Sequence, residues 1–280
     1  MSNALYPVVL AEASFSIVCP VYNSRAWVQR TLESVLALEV QPLELLIIDD
    51  GSSDGTPEFI GSFLKSRAPR FTFSILRHEH RGPGAARNAG IRAACGEWIA
   101  FLDSDDIWFP QKLAKVQKTI SRYPDANFIC HHEEMLNLDG SRELLAYAQH
   151  YNDSRPLPAQ LYQRNLFSTS AVTCKRELLL AHGLFDETLM SAQDYELWLR
   201  LSPQLRVRFI AETLGQYVER QGNITTGNWR RRMKNELIIA GRHRQLVSPA
   251  AWALRLLRVV GSYYKRALLR QLAGNHKNQE

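Results

Sequence analysis

The stretch Asp103-Ser104-Asp105-Asp106 puts three carboxylates into four residues, directly after the apolar run Trp98-Ile-Ala-Phe-Leu102. Carboxylate oxygens suit a hard divalent cation such as Mg²⁺ or Mn²⁺. Mg²⁺ commonly binds through one or two carboxylates and completes its shell with phosphate oxygens, so this composition points to a diphosphate-bearing substrate. A second acidic group, Asp49, Asp50 and Asp54, follows the apolar run Leu43-Glu-Leu-Leu-Ile-Ile48. Arg87 lies in Gly82-Pro-Gly-Ala-Ala-Arg-Asn88, where small neighbours admit close backbone approach and a guanidinium suits bidentate phosphate contact. Gly82-x-Gly84 lacks the third glycine of a dinucleotide fingerprint, and no Gly-Lys-Ser/Thr phosphate loop occurs. His131, His132, Glu133 and Glu134 are consecutive, but neighbours on a strand face opposite sides, so the two histidines cannot share one ion. They read as strand-end residues, with the wall of an acceptor cleft as the alternative.

These groups need a frame that brings them together. Strand signals at Phe15–Cys19 (stopped by Pro20), 43–48, 71–76 and 98–102 alternate with helix signals from Ser24, a candidate N-cap, from Thr56-Pro57, and over 82–94. Alternating strands and helices with near-continuous apolar strands predict a mostly parallel central sheet flanked by helices, an α/β fold. In such sheets ligands bind beyond the carboxyl ends of the strands. Here those ends carry Pro20-Val21-Tyr22-Asn23, the Asp49–Asp54 turn, Arg81–Asn88 and Asp103–Asp106. Further on the pattern predicts a helix over 110–121, strands at 126–130 and 167–174, and helices from Lys175 and over 193–201.

Composition narrows the function classes. The 280 residues are 45% hydrophobic and 22% charged, which supports a sizeable core and excludes a disordered or collagen-like chain. The four cysteines have neither metal-finger nor redox-motif spacing, so they read as reduced thiols of a cytoplasmic protein. No apolar run is long enough to span a bilayer, and residues 1–13 read as a leader without signal-peptide features. The net charge of +6 is uneven: residues 229–280 hold 12 basic against 2 acidic groups, so the preceding body is mildly acidic. That body disfavours nucleic acid as a partner, because it would repel a phosphate backbone.

The chain resembles the inverting family 2 glycosyltransferases with the GT-A nucleotide-diphospho-sugar transferase fold. The resemblance rests on Ser16-Ile-Val-Cys-Pro-Val-Tyr-Asn23, Asp49-Asp-Gly-Ser-Ser-Asp-Gly-Thr56, Gly82-Pro-Gly-Ala-Ala-Arg-Asn-Ala-Gly90, Phe101-Leu-Asp-Ser-Asp-Asp106, Phe185-Asp-Glu187 and Gln193-Asp-Tyr-Glu-Leu-Trp-Leu-Arg200, in family order. It implies a GT-A domain over 14–226, followed by a basic helical extension over 227–280. It further implies that Pro20, Tyr22, Asp50, Arg87, Asp103 and Ser104 bind the nucleotide. Asp105 with Asp103 would hold Mn²⁺ or Mg²⁺, and Asp194 would be the catalytic base. The implied reaction moves a sugar from a nucleotide-diphosphate donor, a UDP-sugar, to a hydroxyl of a saccharide or lipid-linked acceptor in cell-surface polysaccharide synthesis. A sugar nucleotidyltransferase and a degenerate nucleotide-sugar-binding protein are the alternatives.

Two departures from the family pattern matter. Gln193 stands where an acidic neighbour of the base is usual, leaving Asp194 without adjacent like-charge elevation of its pKa. In Tyr217-Val-Glu-Arg-Gln-Gly-Asn-Ile-Thr225, Arg220 occupies the place of a histidine. A guanidinium cannot ligate a metal, but it can neutralise a departing diphosphate. From Trp229 onward the sequence reads as helix, with Leu257, Val260, Tyr264, Leu268 and Leu272 on one face and Arg255, Arg258, Lys265, Arg266 and Arg270 on the other. That pattern suits an anionic cytoplasmic membrane leaflet, or packing on the catalytic body or a second subunit.

Overall fold

The computed structural model describes residues 13–220 and 229–277; the side chains of residue 229 and of 266–277 lie outside that description. Four parallel strands form its first half: β1 (Phe15–Val21), β2 (Glu44–Asp49), β3 (Thr72–Arg77) and β4 (Trp98–Phe101). They are joined by α1 (Val28–Leu36), α2 (Thr56–Arg67) and α3 (Pro83–Ala93). The apolar runs of β1, β2 and β4 are buried on both faces, as strands sandwiched between helices must be. Alternation decides which side each residue enters: Ile17 and Cys19 join one core cluster, Val18 the other.

Beyond β4 the sheet becomes mixed. The chain continues through β5 (Ile107–Trp108), α4 (Lys112–Arg122), β6 (Phe128–Leu136), β7 (Arg142–Leu145), α5 (Leu157–Gln163), β8 (Val172–Lys175), α6 (Arg176–Ala181), α7 (Gln193–Leu201) and β9 (Val207–Val218). The sheet order is β3-β2-β1-β4-β8-β6-β9-β5, with β7 paired to β6. β8 runs antiparallel to both β4 and β6, whereas β9 runs parallel to β6 with register shifts at His131–Glu133. Parallel βαβ units thus make up only the first half, where strand and helix signals alternate regularly.

Several local expectations change. Pro20 does not stop the first strand. Val18 O accepts from Leu102 N on the β4 side, so Pro20 faces that side too, beyond the last β1–β4 pair, and its missing N–H costs no ladder bond. Helix α1 starts at Val28, not after Ser24, because Ser24 is tied elsewhere: its N–H donates to Thr56 Oγ1 at 2.8 Å and its hydroxyl meets Ser104 Oγ at 2.8 Å. β8 is shorter than expected, since residues 169–171 form a 3₁₀ turn. His131 and His132 lie inside β6 and are buried, not at a strand end. Gly90 lets α3 press onto the sheet; a Cβ there would sit 2.5 Å from Val18 Cγ1.

The extension is not one helix. It breaks into α8 (Trp229–Arg242) and α9 (Pro249–Lys277), Pro249 opening the second. α8 belongs to the main core: Ile239 and Ala240 are buried with Trp198 and Leu161, and Asn235 Nδ2 donates to Ser191 O at 3.0 Å. Arg255 leaves the basic face assigned to it and turns inward, donating to Glu236 Oε2 at 3.1 Å and to Gln163 O at 2.8 Å. No helix among the described residues is long and apolar enough to cross a membrane.

Candidate active site

After β4 the chain turns through Asp103–Asp106 before entering β5. Asp106 points inward, accepting from Ser170 Oγ at 2.6 Å and from Val218 N at 3.2 Å. Asp103 and Asp105 are each set against a guanidinium. Arg87 Nη2 donates to Asp103 Oδ1 at 2.5 Å, and Arg220 Nε donates to Asp105 Oδ2 at 2.5 Å. Arg220 also lies over the Trp27 ring, 4.2 Å from its centroid. Ser104 is buried against Ser24, and its carbonyl lies 2.9 Å from Thr31 Oγ1.

Ser170 braces this turn from beneath. Its hydroxyl accepts the Asp103 N–H at 3.0 Å and donates to Asp106, while its carbonyl accepts from Trp108 Nε1 at 2.9 Å and from the buried Lys112 Nζ at 3.1 Å. Burial drives the Lys112 ammonium well below the usual lysine range, opposed by the charge of nearby Glu133. Ser170→Ala leaves a buried carboxylate and a backbone N–H without their partner. It is expected to lower unfolding free energy by about 1–3 kcal/mol, read from the urea midpoint; an unchanged midpoint would show that the brace is not needed.

The acidic turn fits a hard cation. Asp103 and Asp105 each give one carboxylate oxygen to a guanidinium, and the second oxygen of each lies outside that pair. Burial lifts the Asp105 carboxyl above its ordinary range, the Asp103 charge adds to this, and Arg220 opposes it. Burial lifts Asp106 further, with the charges of Asp105, Glu133 and Asp103 adding. Three carboxylates thus meet in a partly dry turn where a divalent ion would relieve their mutual repulsion. The described residues contain no ready cluster of three or more metal-ligating side chains, so substrate oxygens or water would complete the shell.

The other strand ends form a shelf beside this turn. Asp50 accepts the N–H groups of Arg81 at 2.8 Å and Gly82 at 2.9 Å, and His80 Nδ1 lies 2.8 Å from its Oδ2. Both carboxylate oxygens are therefore engaged in holding the loop that launches α3. Gly82 takes φ +91°, a backbone angle that side chains disfavour. Tyr22, 46% exposed, stacks on His80 with ring centroids 4.2 Å apart, and Pro20 lies half-buried just before it.

Asp194 stands in the first turn of α7, after Ala192 in the left-handed region. Ala192 holds the N-cap position, so Asp194 is not the cap. Its Oδ2 accepts from Asn165 Nδ2 at 3.2 Å. Burial raises its carboxyl above the ordinary range; the Tyr195 N–H, Arg87 and Arg232 work against this, and Asp103 adds to it. Gln193 contributes no charge, as its identity requires, yet the elevation is present because burial supplies it. The other acidic groups nearby are committed elsewhere. Burial opposes ionisation of Glu196, but hydrogen bonds from His243 and Arg200 outweigh it and hold that carboxyl below its usual range. Glu133 is buried and accepts from Tyr147 OH at 2.8 Å.

The structure therefore brings Asp103, Asp105, Arg87, Arg220 and Asp194 to one region, with Tyr22 and Pro20 on the adjacent shelf and Ser104 underneath. Residues 221–225 of the expected diphosphate loop lie outside the described residues. Sequence reasoning missed His80, Trp27, Ser170 and Arg232. For His80 a signal exists, since it follows β3 at the same sheet edge as the other groups; Trp27, Ser170 and Arg232 carry no motif, and only folding places them.

Comparison with known proteins identifies the family and the fold. The profile described as Glycosyl transferase family 2 matches residues 16–169, more than half of the chain. A glycosyltransferase of Rickettsia bellii is 28% identical over 236 residues, covering 81% of this chain and 32% of its own. The chain spans about a third of the length of three Rickettsia relatives that it matches. Succinoglycan biosynthesis protein ExoO of Rhizobium meliloti is 32% identical over 199 residues, 68% of this chain and 56% of that protein. Among solved structures, S. aureus TarS in complex with UDP-GlcNAc superposes with a TM-score of 0.67 at 18% identity, covering 90% of this chain and 73% of TarS. Mannosyltransferase PcManGT of Pyrobaculum calidifontis, in complex with GDP-Man and Mn²⁺, gives 0.64 at 19% identity, covering 90% and 70%. The shared architecture is the GT-A fold. With the family profile covering more than half of its residues, the chain belongs to glycosyl transferase family 2.

Proposed function

We propose that the protein is a metal-dependent inverting glycosyltransferase that moves a sugar from a UDP-sugar to a hydroxyl of a saccharide or lipid-linked acceptor in polysaccharide synthesis. The observation that carries this reading is the position of Arg87: it hydrogen-bonds Asp103 of the acidic turn, and its charge acts on Asp194. Cation turn and candidate base are thus linked through one guanidinium. The names of ExoO and of the TarS and PcManGT complexes support the polymer, the nucleotide sugar and the metal, each for its own protein.

Each side chain then has a role. Tyr22 and Pro20 border the base, and Asp50 fixes the loop that sets Arg87 in place. Asp103 and Asp105 would hold Mn²⁺ or Mg²⁺, which when bound neutralises charge developing on the departing diphosphate. Asp194 removes the acceptor hydroxyl proton as that oxygen attacks the anomeric carbon. The bond to the diphosphate breaks on the opposite face, so the configuration inverts. Product analysis tests the class: sugar transfer releases UDP, a nucleotidyltransferase releases pyrophosphate, and a binding protein releases neither.

Arg220 and the cation compete for the same carboxylate in this scheme. Arg220→Ala is expected to tighten Mn²⁺ binding without nucleotide by up to about tenfold, the scale of a half-buried ion pair. Free Mn²⁺ is counted by electron paramagnetic resonance. Unchanged affinity would mean that Arg220 and the ion do not share Asp105.

A further inference from the structure

Leu254, Leu257 and Tyr264 are 46%, 71% and 64% exposed, a third of the large apolar residues exposed on the described surface. At 100° per residue they fall within about 80° of arc on α9. Arg258 and Lys265, both exposed, lie together on one side of that arc, about 20–40° beyond Leu254. Trp252, Val259 and Tyr263 occupy the opposite side and pack inward, Tyr263 OH donating to Glu236 Oε1 at 2.8 Å. The outward face is therefore apolar along one side and basic along the other, and it is not the face that holds α9 to the protein.

Charge selects the occupant. α9 contains no acidic residue, and the single carboxylate between residues 229 and 277, Glu236, is consumed internally by Arg232, Arg255 and Tyr263. A second copy meeting this face symmetrically would bring one basic helix against another. An anionic bilayer surface offers apolar depth for the leucines and tyrosine and negative headgroups for the arginine and lysine. We propose that α9 docks this protein on an anionic lipid surface through Leu254, Leu257 and Tyr264, with Arg258 and Lys265 reading the headgroups.

The placement has a consequence for catalysis that rests on the proposed function, whereas the docking itself does not. α9 packs on α8, Asn235 of α8 holds Ser191, and Arg232 of α8 acts on Asp194. The docked face is thus one helix removed from the candidate base, which suits an acceptor anchored in lipid.

Co-sedimentation of the full chain with phosphatidylcholine vesicles, with and without phosphatidylglycerol, tests the docking. Retention is expected only with the anionic lipid and should fall steeply as salt is raised. Leu257→Glu with Tyr264→Glu, and separately Arg258→Glu with Lys265→Glu, should each weaken retention by at least about tenfold, with the melting temperature and UDP binding unchanged. Equal retention on neutral vesicles, or parental retention by either double variant, would overturn the proposal. So would a change of oligomeric state in the variant carrying Leu257→Glu and Tyr264→Glu without vesicle binding by the parent, which would assign the face to a second copy. Vesicle binding without UDP release from any UDP-sugar would leave the docking standing and remove the proposed reaction.

Discussion

Asp194→Asn is expected to lower sugar transfer by at least about a hundredfold, the lower end of the range for loss of a general base. The substitution is nearly isosteric, and Asn can keep the Asn165 contact by presenting its own side-chain oxygen. It removes only the ability to take a proton. UDP affinity should stay within about threefold, because the shelf at Tyr22 and the acidic turn at Asp105 belong to other elements. The acidic limb of the rate profile adds a second readout. Burial raises the Asp194 carboxyl, so the base becomes protonated at higher pH than an ordinary carboxylate would. Activity should therefore fall, as acid is added, at a higher pH than an ordinary carboxylate would dictate, and the residual activity of the Asn variant should lack this ionisation. Near-parental transfer by Asp194→Asn would remove it from the reaction and leave it a first-turn residue of α7 that accepts the Tyr195 N–H.

Asp105→Ala is expected to abolish measurable transfer and to erase the part of UDP binding that depends on Mn²⁺. The parent should bind UDP more tightly with Mn²⁺ than without it, and calorimetric titrations of the variant under the two conditions should coincide. The fold should survive. Removing Asp105 takes away one of the like charges acting on the buried Asp106, and the Arg220 it strands still rests on Trp27. A melting temperature near the parent's would separate loss of the cation site from loss of structure. If Mn²⁺ tightened UDP binding as much in the variant as in the parent, Asp105 would not be its ligand.

The first half of the fold, and the sheet edge at which the candidate groups gather, could be read from residues 15–106. β1, β2 and β4 are continuous apolar runs followed at once by polar or acidic groups, a pattern that only a buried parallel strand ending at a sheet edge explains. Acidic turn, glycine-rich loop and tyrosine each follow a strand, so parallel pairing alone collects them on one edge. After β4 that rule lapses. The antiparallel insertion of β8 and the bulged β6–β9 pairing depend on contacts distant in sequence, and short apolar runs do not announce their partners.

At the site, residue types told which groups could do chemistry, but not how they divide the work. Asp103, Asp105 and Asp106 are equivalent as letters. Tertiary structure turns Asp106 inward onto Ser170, leaves the other two in the cleft, and gives each a guanidinium from a different part of the chain. The same holds for Asp194, whose neighbour Gln193 carries no charge to shift it, but whose burial does. Along α9 the 3.6-residue period marks an amphipathic helix, yet only packing against α8 determines that Val259 and Tyr263 face in while Leu257 and Tyr264 face out. The physical reason is common to these cases. Composition and period are local properties that the sequence carries by itself, whereas desolvation and the choice between two faces or two partners depend on neighbours that only the folded chain supplies.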